Sequence, residues 1–345
     1  MSAAPQPDAR ALSRWRPPSA AIAILFAALV GGALVLASGV NPAEAYAQIF
    51  MGAFALDNWP NTLNWATPLV GMTLVAAIPL RGGMINLGGD GQLIIGALVA
   101  AIVAIYLPGP GPLVAIAALI AAAVAAGLYA ALAAWGETRH GVPMLISSLL
   151  LSYPAVGVAS YIVRFPLRDT TTGLPQTALV PEGARLMALN GVLNVGLILI
   201  AAIAALVLFV DRRTVVGYEL HMRGINLRFA GYGGVRLDRQ AMRIMFVSGA
   251  IAGLVGAIIV LGSQFRFIDD VLLTPSYTWS GLMAALLANG EPAGAILAGL
   301  FFAALQTGGF AMQRETSVPR VLTMVLQSIV ILFLAVRHGA GKSRE

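Results

Sequence analysis

The sequence predicts an all-α integral membrane protein with about ten transmembrane helices, inverted-repeat halves and broken helices near the centre. Three observations support this fold class. Of the 345 residues, 59% are hydrophobic and only 10% are charged, whereas soluble domains carry about 25% charged residues on average. Long apolar runs recur along the whole chain, and most arginines fall between those runs. Clusters of glycine and proline interrupt two of the apolar regions.

A helix needs about 20 apolar residues to cross ~30 Å of hydrocarbon, and fewer if the crossing is broken. The first of the predicted spans follows a polar tail and is longer than the core of a signal peptide, so we interpret it as a retained helix. The eighth is short and precedes Asn289-Gly290-Glu291-Pro292, which indicates a broken or partial crossing. The predicted spans are 19–39, 60–80, 91–107, 112–135, 143–163, 190–210, 243–262, 277–290, 292–311 and 321–336.

The basic residues predict an orientation. With a cytoplasmic N-terminus, 15 of them lie in inside segments and 6 in outside segments, which is the bias of the positive-inside rule. We therefore expect cytoplasmic tails at 1–18 and 337–345 and a transmembrane domain over 19–336. Two connections are long enough to suggest a function: the inside loop 211–243, which carries seven arginines, and the outside stretch 164–190.

Several classes of site are not predicted. The chain has no cysteine and only three histidines, which lie far apart, so neither thiol chemistry nor metal-ligand spacing is indicated. No catalytic constellation is visible. The C-terminal Gly339-Ala340-Gly341-Lys342-Ser343 resembles the end of a P-loop, but Val336 stands where that motif requires its first glycine. The basic net charge of +6 is better explained by membrane topology than by nucleic acid.

The densest polar cluster follows the second span, at residues 81–92, where five glycines disfavour a regular helix. Two interpretations remain open. The segment is either a non-helical turn at membrane depth, with Asn86 and Asp90 pointing into a water-filled path, or a cytoplasmic loop between two helices.

A second polar cluster runs from Thr278-Trp279-Ser280-Gly281 to Asn289-Gly290-Glu291-Pro292-Ala293-Gly294. Interrupted helices at corresponding positions of two halves are typical of a transport site. Spans two to five and spans seven to ten are offset by five crossings, an odd number, which predicts halves of opposite orientation.

Three motifs together resemble bacterial ABC importer permeases for nucleosides and simple sugars, a group within the ribose and branched-chain amino acid permease family. Asn86-Leu87-Gly88-Gly89-Asp90-Gly91-Gln92, preceded by Ala66-Thr67-Pro68-Leu69, is similar to that family's N-I-G-x-E-G-Q signature. Arg223-Gly224-Ile225-Asn226 with Ala230-Gly231-Tyr232 is similar to its cytoplasmic loop. The stretch from Ser280 to Pro292 is similar to a third segment. Asp90 departs from the usual glutamate, and Glu291 stands where small residues are common.

The resemblance implies a transport subunit that is not itself an enzyme and binds no cofactor. ATP is used by a separate ABC ATPase subunit, an extracytoplasmic solute-binding protein delivers the solute, and a second permease subunit, a different chain, completes the membrane core. The expected location is the bacterial cytoplasmic (inner) membrane. A short helix about Glu219–Arg228 is expected to meet the ATPase. The coupling residues are Glu219, His221, Arg223, Asn226 and Arg228.

The resemblance also implies a solute path through the bundle and a docking surface outside it. The predicted path residues are Asn64, Asn86, Asp90, Gln92, Trp279, Asn289 and Glu291. The predicted docking residues are Asp57, Arg168, Glu182, Arg266, Asp269 and Asp270. The transported molecule stays open among nucleosides, purines, ribose-like sugars and small solutes delivered by a lipoprotein. An ion-coupled secondary carrier is the alternative, in which Asp90 and Glu291, if both are buried, would bind a proton or sodium.

Overall fold

The structure is a computed structural model and describes residues 19–37, 39–316 and 325. Helices dominate these residues, and the strands form one small antiparallel hairpin, β1 (Ala188–Asn190) and β2 (Leu193–Asn194). The helices are α1 (Ser19–Ala37), α2 (Pro42–Phe54), α3 (Trp59–Arg81), α4 (Gly89–Tyr106), α5 (Gly111–His140), α6 (Met144–Arg164), α7 (Gly196–Arg213), α8 (Val215–Ile225), α9 (Leu227–Tyr232), α10 (Leu237–Ile259), α11 (Tyr277–Leu287) and α12 (Pro292–Thr316). The all-α prediction is confirmed.

Six helices in the described part of the chain are long and apolar enough to cross a membrane: α3, α4, α5, α6, α10 and α12. The second part of α1, Ala28–Ala37, passes the same test together with α2, but the two are bent by 118° at the break between Ala37 and Pro42, which gives up to seven spans. The expected count of ten is therefore not reached by the described residues. Residues 321–336, where the tenth span was predicted, lie outside them except for residue 325.

Two predicted spans are not confirmed, one because of its charges and the other because of its length. The span at 190–210 begins as the strand hairpin, and α7 then ends in Asp211-Arg212-Arg213, so its 18 residues contain three charges. The span at 277–290 is reduced to α11, whose 11 residues extend only about 16 Å. The chain then breaks at Asn289 and Gly290, both with positive φ (51° and 72°), before Pro292 starts α12.

Small residues allow the central helices to pack closely. Gly249 and Gly253 of α10 lie directly on the backbone of α5 at Ala126 and Ala122, with no room for a β-carbon. Gly253 also meets Gly96 of α4 backbone to backbone. Glycine and alanine favour association of helices in lipid because they allow such approaches. Helices α3 and α10 thus form the centre of the bundle, with α4, α5 and α12 packed on them.

Left-handed backbone conformations lie on both sides of α11. After α10 the chain makes one π-helical turn, Val260–Gln264, and then Phe265, Asp270 and Ser276 adopt positive φ, as Asn289 does beyond the helix. Non-glycine residues adopt this conformation at a cost of about 1–3 kcal/mol each. The surrounding packing must hold this segment in place.

Candidate functional site: a polar turn inside the bundle

The glycine-rich segment after α3 is a non-helical turn packed within the bundle. This is the backbone of the first of the two interpretations, while the water-filled path that it assigned to Asn86 and Asp90 stays a prediction. Residues 82–88 connect α3 to α4 without a helix, and Met84, Asn86 and Gly88 are buried. Gly83 has a φ of 72°, which favours glycine, and its backbone lies against Gly224. The turn therefore runs back into the protein instead of projecting from it.

Asn86 is the centre of a buried hydrogen-bond cluster. Its Nδ2 donates to Gln92 Oε1 and to Ser248 Oγ, each at 2.9 Å. Its Oδ1 accepts from Gln92 Nε2 at 3.0 Å and from the Gly88 backbone N–H at 2.9 Å. Asn86 and Gln92 are each only 2% exposed. Their amides hold the turn closed, and their predicted place on a solute path stays a prediction.

The same cluster gives the depth of the turn. Ser248 Oγ, which accepts the bond from Asn86, donates to the carbonyl of Val75 at 2.6 Å. Val75 lies six residues before the end of α3 at Arg81, which is about 9 Å along the helix axis. Asn86 is therefore well inside the span, and irregular backbone at that depth must be covered by protein or line a cavity.

Asp90 lies next to this cluster along the chain, in the first turn of α4, and its side chain is half-buried. Thr278 of α11 lies against Gly89 and approaches the Asp90 carboxylate. Gly281, one turn further along α11, packs on the backbone of Met72 in the middle of α3. The first turns of α4 and α11 thus meet at mid-depth, and they bring together the two polar clusters seen in the sequence.

The other path residues predicted on and after α11 do not join this cluster. Trp279 is 44% exposed on the outer surface of α11. Asn289 and Glu291 are exposed beyond its end, and the Glu291 carboxylate lies 3.9 Å from Arg212 at the end of α7. Glu291 is therefore at the rim of the bundle, whereas Asp90 is at mid-depth. In the described part of the chain, Asp90 and Glu291 therefore do not form the pair of buried carboxylates that an ion-coupled carrier would use.

Asn64 lines a small cavity near the opposite end of α3, in a part of the site that sequence reasoning largely missed. The cavity is about 150 Å³ and is also lined by Trp65, Gln264 and Tyr277. The Trp65 ring lies between those of Tyr277 (centroids 5.8 Å apart) and Phe310 (5.3 Å), tilted against each by 43° and 35°, and it borders a second, open cavity. Aromatic residues are common near membrane interfaces, so the sequence offered no signal that these three would meet.

The segment after α7 packs directly on the buried turn. Helix α8 is capped by Thr214, and a break at Asn226 separates it from α9, so the predicted single helix about Glu219–Arg228 is wrong. The Asn226 side chain accepts from the Phe229 N–H and caps α9, which explains the break. Gly224 lies against the carbonyl of Arg81, where a β-carbon would not fit.

Not all the predicted coupling residues face outward. Arg223 is only 8% exposed, and its Nη1 donates to the Leu237 carbonyl at 3.0 Å, so it anchors α8. Glu219 and His221 are half-buried, while Arg228 is exposed. Sequence reasoning overlooked the apolar side chains that surround them. Those large exposed side chains are Val215, Val216, Tyr218, Ile225, Leu227, Phe229 and Tyr232.

On the opposite side, the outside stretch and the loop after α10 form one joined cap. Arg164 pairs with Asp269 at 2.8 Å, and Arg266 lies 3.9 Å from Asp169. Hydrogen bonds from Thr171 lower the pKa of the Asp169 carboxyl, and the positive charge of Arg266 acts in the same direction. Asp269 and Arg266 thus help to build the cap, while the other predicted docking residues are exposed: Asp57, Arg168, Glu182 and Asp270.

Apolar spanning helices around a mid-depth polar turn, with a folded segment at one end and a cap at the other, define a multi-pass membrane protein of the permease class. The chain belongs to the family described as branched-chain amino acid transport system / permease component, which matches residues 58–335.

Three relatives support this membership. The glucose ABC transporter permease protein of Haloferax volcanii is 31% identical, over 91% of this chain and 85% of that protein. The guanosine ABC transporter permease protein NupP of Bacillus subtilis is 29% identical, over 94% and 95%. The nucleoside ABC transporter permease protein of Lactococcus lactis is 26% identical, over 92% and 90%. The resemblance inferred from the three sequence motifs is confirmed.

Proposed function

We propose that this chain is the membrane-spanning permease subunit of an ATP-binding-cassette importer that carries a nucleoside or a simple sugar. A separate ATPase subunit powers it, and an extracytoplasmic binding protein feeds it. The observation that carries the proposal is similarity along nearly the whole chain to permeases named for glucose, guanosine and nucleosides. The chain itself then binds no cofactor and performs no hydrolysis.

The ATPase docks, in this proposal, on the exposed surface of α8 and α9. Arg228 supplies charge there, while Tyr218, Phe229 and Tyr232 supply apolar and aromatic contacts, as protein interfaces favour. Movement of this surface reaches the solute path through Gly224, because its backbone rests on Arg81 where the buried turn begins.

The solute enters near the cap and passes the aromatic cavity around Trp65 before it reaches Asp90. Aromatic faces stack on bases and sugars, and amide groups such as those of Asn64 and Gln264 bond to ring nitrogens and hydroxyls. Gln264 Oε1 is buried and has no hydrogen-bond partner among the described residues, so it is available to a solute.

The packing supports the proposal of two inverted halves. Helix α4 packs on α5 and α10, and α11 packs correspondingly on α12 and α3. If α3 corresponds to α10, α4 to α11 and α5 to α12, each packed pair in one half has a packed counterpart. The pair α4–α5 corresponds to α11–α12, α4–α10 to α11–α3, and α5–α10 to α12–α3. In this proposal α7 is a further crossing, and α11 with the loop before it makes the eighth. The tenth span, predicted at 321–336, lies outside the described residues except for residue 325.

The positive-inside bias supports cytoplasmic tails at 1–18 and 337–345 and a cytoplasmic coupling segment at 211–243. The cap, which includes 164–190, then faces the extracytoplasmic binding protein. The exposed Trp279 surface of α11 is available to a second permease subunit, which we propose to be a different chain. If that subunit packs there, Trp279 would border a path between the two chains.

The test is uptake of labelled nucleosides, pentoses and glucose into cells that lack this chain and into the same cells complemented with it. ATP is depleted while the proton gradient is maintained. We expect complementation to restore uptake of one solute class and ATP depletion to abolish it again. Uptake that survives ATP depletion but collapses with an ionophore would establish the secondary carrier instead.

A further inference from the structure

A groove lies between α7, α8 and α10, beside the surface proposed for the ATPase. It encloses about 660 Å³ and is open along one side. Its walls are mainly aliphatic, and Leu206 and Val247 are 59% and 45% exposed on them. A chain embedded in a bilayer presents such a surface to acyl chains, not to water.

The groove has the length of one leaflet. Along α10 its apolar lining runs from Ile244 to Leu254, and its polar end begins at Arg243. From Arg243 to Leu254 the helix rises about 16 Å, and half of a ~30 Å hydrocarbon core is about 15 Å. A lipid whose headgroup lies at Arg243 would therefore reach the bilayer midplane within the groove.

The polar end is basic. Arg236, Arg239 and Arg243 line it, all three are exposed, and none takes part in an ion pair among the described residues. Glu219 is the unpaired acid among the lining residues, because the Asp211 carboxylate is neutralised by Arg81. Asp238, in the first turn of α10, adds a second acid near this end. The three arginines exceed these two acids by one charge, so the local charge is net positive, which is complementary to a phosphodiester.

Two further features suit a headgroup. Gln240 also lines the groove, and its Oε1 is buried without a hydrogen-bond partner in the described part of the chain, so it can accept from a headgroup hydroxyl. Helix α10 begins here with no side chain capping its first N–H groups. Those groups and the positive end of the helix dipole attract negative charge.

We infer that this groove is a binding site for one anionic phospholipid, with its phosphate at Arg239 and Arg243 and an acyl chain along α7 and α10. With the proposed orientation the lipid belongs to the cytoplasmic leaflet. The inference does not depend on the transported solute or on the ATPase. The alternative is that these arginines only determine the membrane topology, in which case replacing any two cytoplasmic arginines would change lipid binding equally.

The experiment is a native mass spectrometry titration of the full-length chain in detergent with phosphatidylglycerol and with phosphatidylcholine of identical acyl chains. We expect one phosphatidylglycerol to bind at least tenfold more tightly than phosphatidylcholine. Each basic residue near a phosphate contributes about fivefold in affinity. The double variant Arg239→Gln/Arg243→Gln should therefore weaken binding roughly 25-fold.

The matched control is Arg139→Gln/Arg213→Gln, which removes two exposed arginines outside the groove, at the ends of α5 and α7. It should change affinity less than about twofold, since the headgroup contacts remain. A third variant, Val247→Trp, keeps every charge but fills the apolar part, and it should weaken both lipids.

Four results would overturn the inference. The first is equal binding of the two lipids, and the second is an equal loss of affinity in the control variant. The third is competition by soluble glycerol phosphate at the concentration where the lipid binds. The fourth is an assembled transporter in which the second permease subunit covers the groove and no lipid is retained. A failure here would leave the uptake experiment unaffected, so the two proposals are separable.

Discussion

The backbone of Gly224 rests on the carbonyl oxygen of Arg81, so closely that a β-carbon at position 224 would overlap it. This contact joins the folded segment after α7 to the first residues of the buried turn. It is a direct mechanical link between the surface proposed for the ATPase and the segment that carries Asn86 and Asp90.

Replacing Gly224 with alanine should therefore uncouple the surface of α8 and α9 from the buried turn. We expect uptake to fall at least tenfold, because the added methyl pushes α8 away from the turn, with a loss of about 1–3 kcal/mol in stability. Uptake per folded chain and the thermal midpoint in detergent measure the two effects separately. Gly231→Ala is the control, since its methyl would meet only Leu237 at 3.6 Å; an equal loss of uptake in both variants would contradict the link.

The ion pair of Arg81 and Asp211 should stabilise the same junction. The two groups are 3.1 Å apart, and the Asp211 side chain is 8% exposed. Asp211→Asn leaves the Arg81 charge partly buried without its partner, and we expect a loss of about 1–3 kcal/mol in unfolding free energy. Glu291→Gln, which breaks the exposed pair with Arg212, should cost less than about 1 kcal/mol. Equal destabilisation in urea-unfolding curves would refute this ranking.

Asn86→Ala should act on folding. The substitution removes the Asn86 amide that now bonds to the Gln92 amide and to the Gly88 N–H, and both groups stay buried. We expect the free energy of unfolding to fall by about 2–4 kcal/mol for two such groups. The amount of folded protein and its thermal midpoint should fall. Asn64→Ala, at the edge of the outer cavity, is the control and should leave both nearly unchanged; an unchanged midpoint for Asn86→Ala would mean that the cluster does not hold the turn.

Asp90→Asn should act on transport. The substitution keeps the shape of a half-buried side chain but removes its charge, so we expect folded protein at normal abundance and uptake reduced at least tenfold. Glu44→Gln, in the exposed first turn of α2, provides a control for loss of one carboxylate. Normal uptake by the Asp90 variant would remove this residue from the solute path.

Trp65→Ala should weaken solute capture. Stacking on an aromatic side chain contributes about 1–3 kcal/mol per base, so the apparent KM for a nucleoside should rise fivefold or more with little change in abundance. Trp135→Ala, which removes an exposed tryptophan of α5, is the comparison. If both variants keep the original KM, the aromatic cavity is not on the path.

The sequence predicted most spans because apolar length is a local property. It also identified residues 81–92 as an interruption between two helices, since five glycines between two apolar runs oppose a helix. It could not place Arg223 or Glu291. An arginine in a basic loop is usually exposed, yet Arg223 is buried and donates a hydrogen bond to the Leu237 carbonyl. The position of Glu291 depends on where α11 ends, which places its carboxylate near Arg212. Both are set by tertiary contacts.

The seam between α5 and α10, where Gly249 and Gly253 sit on alanine backbone, limits how the protein can move. Helices joined this way cannot slide or part without opening a void along their length. We expect α5 and α10 to move as one rigid unit through a transport cycle. Hinges then fall at its margins: beside α7, which the groove already separates from α10, and around α11, whose flanks are held in left-handed conformations.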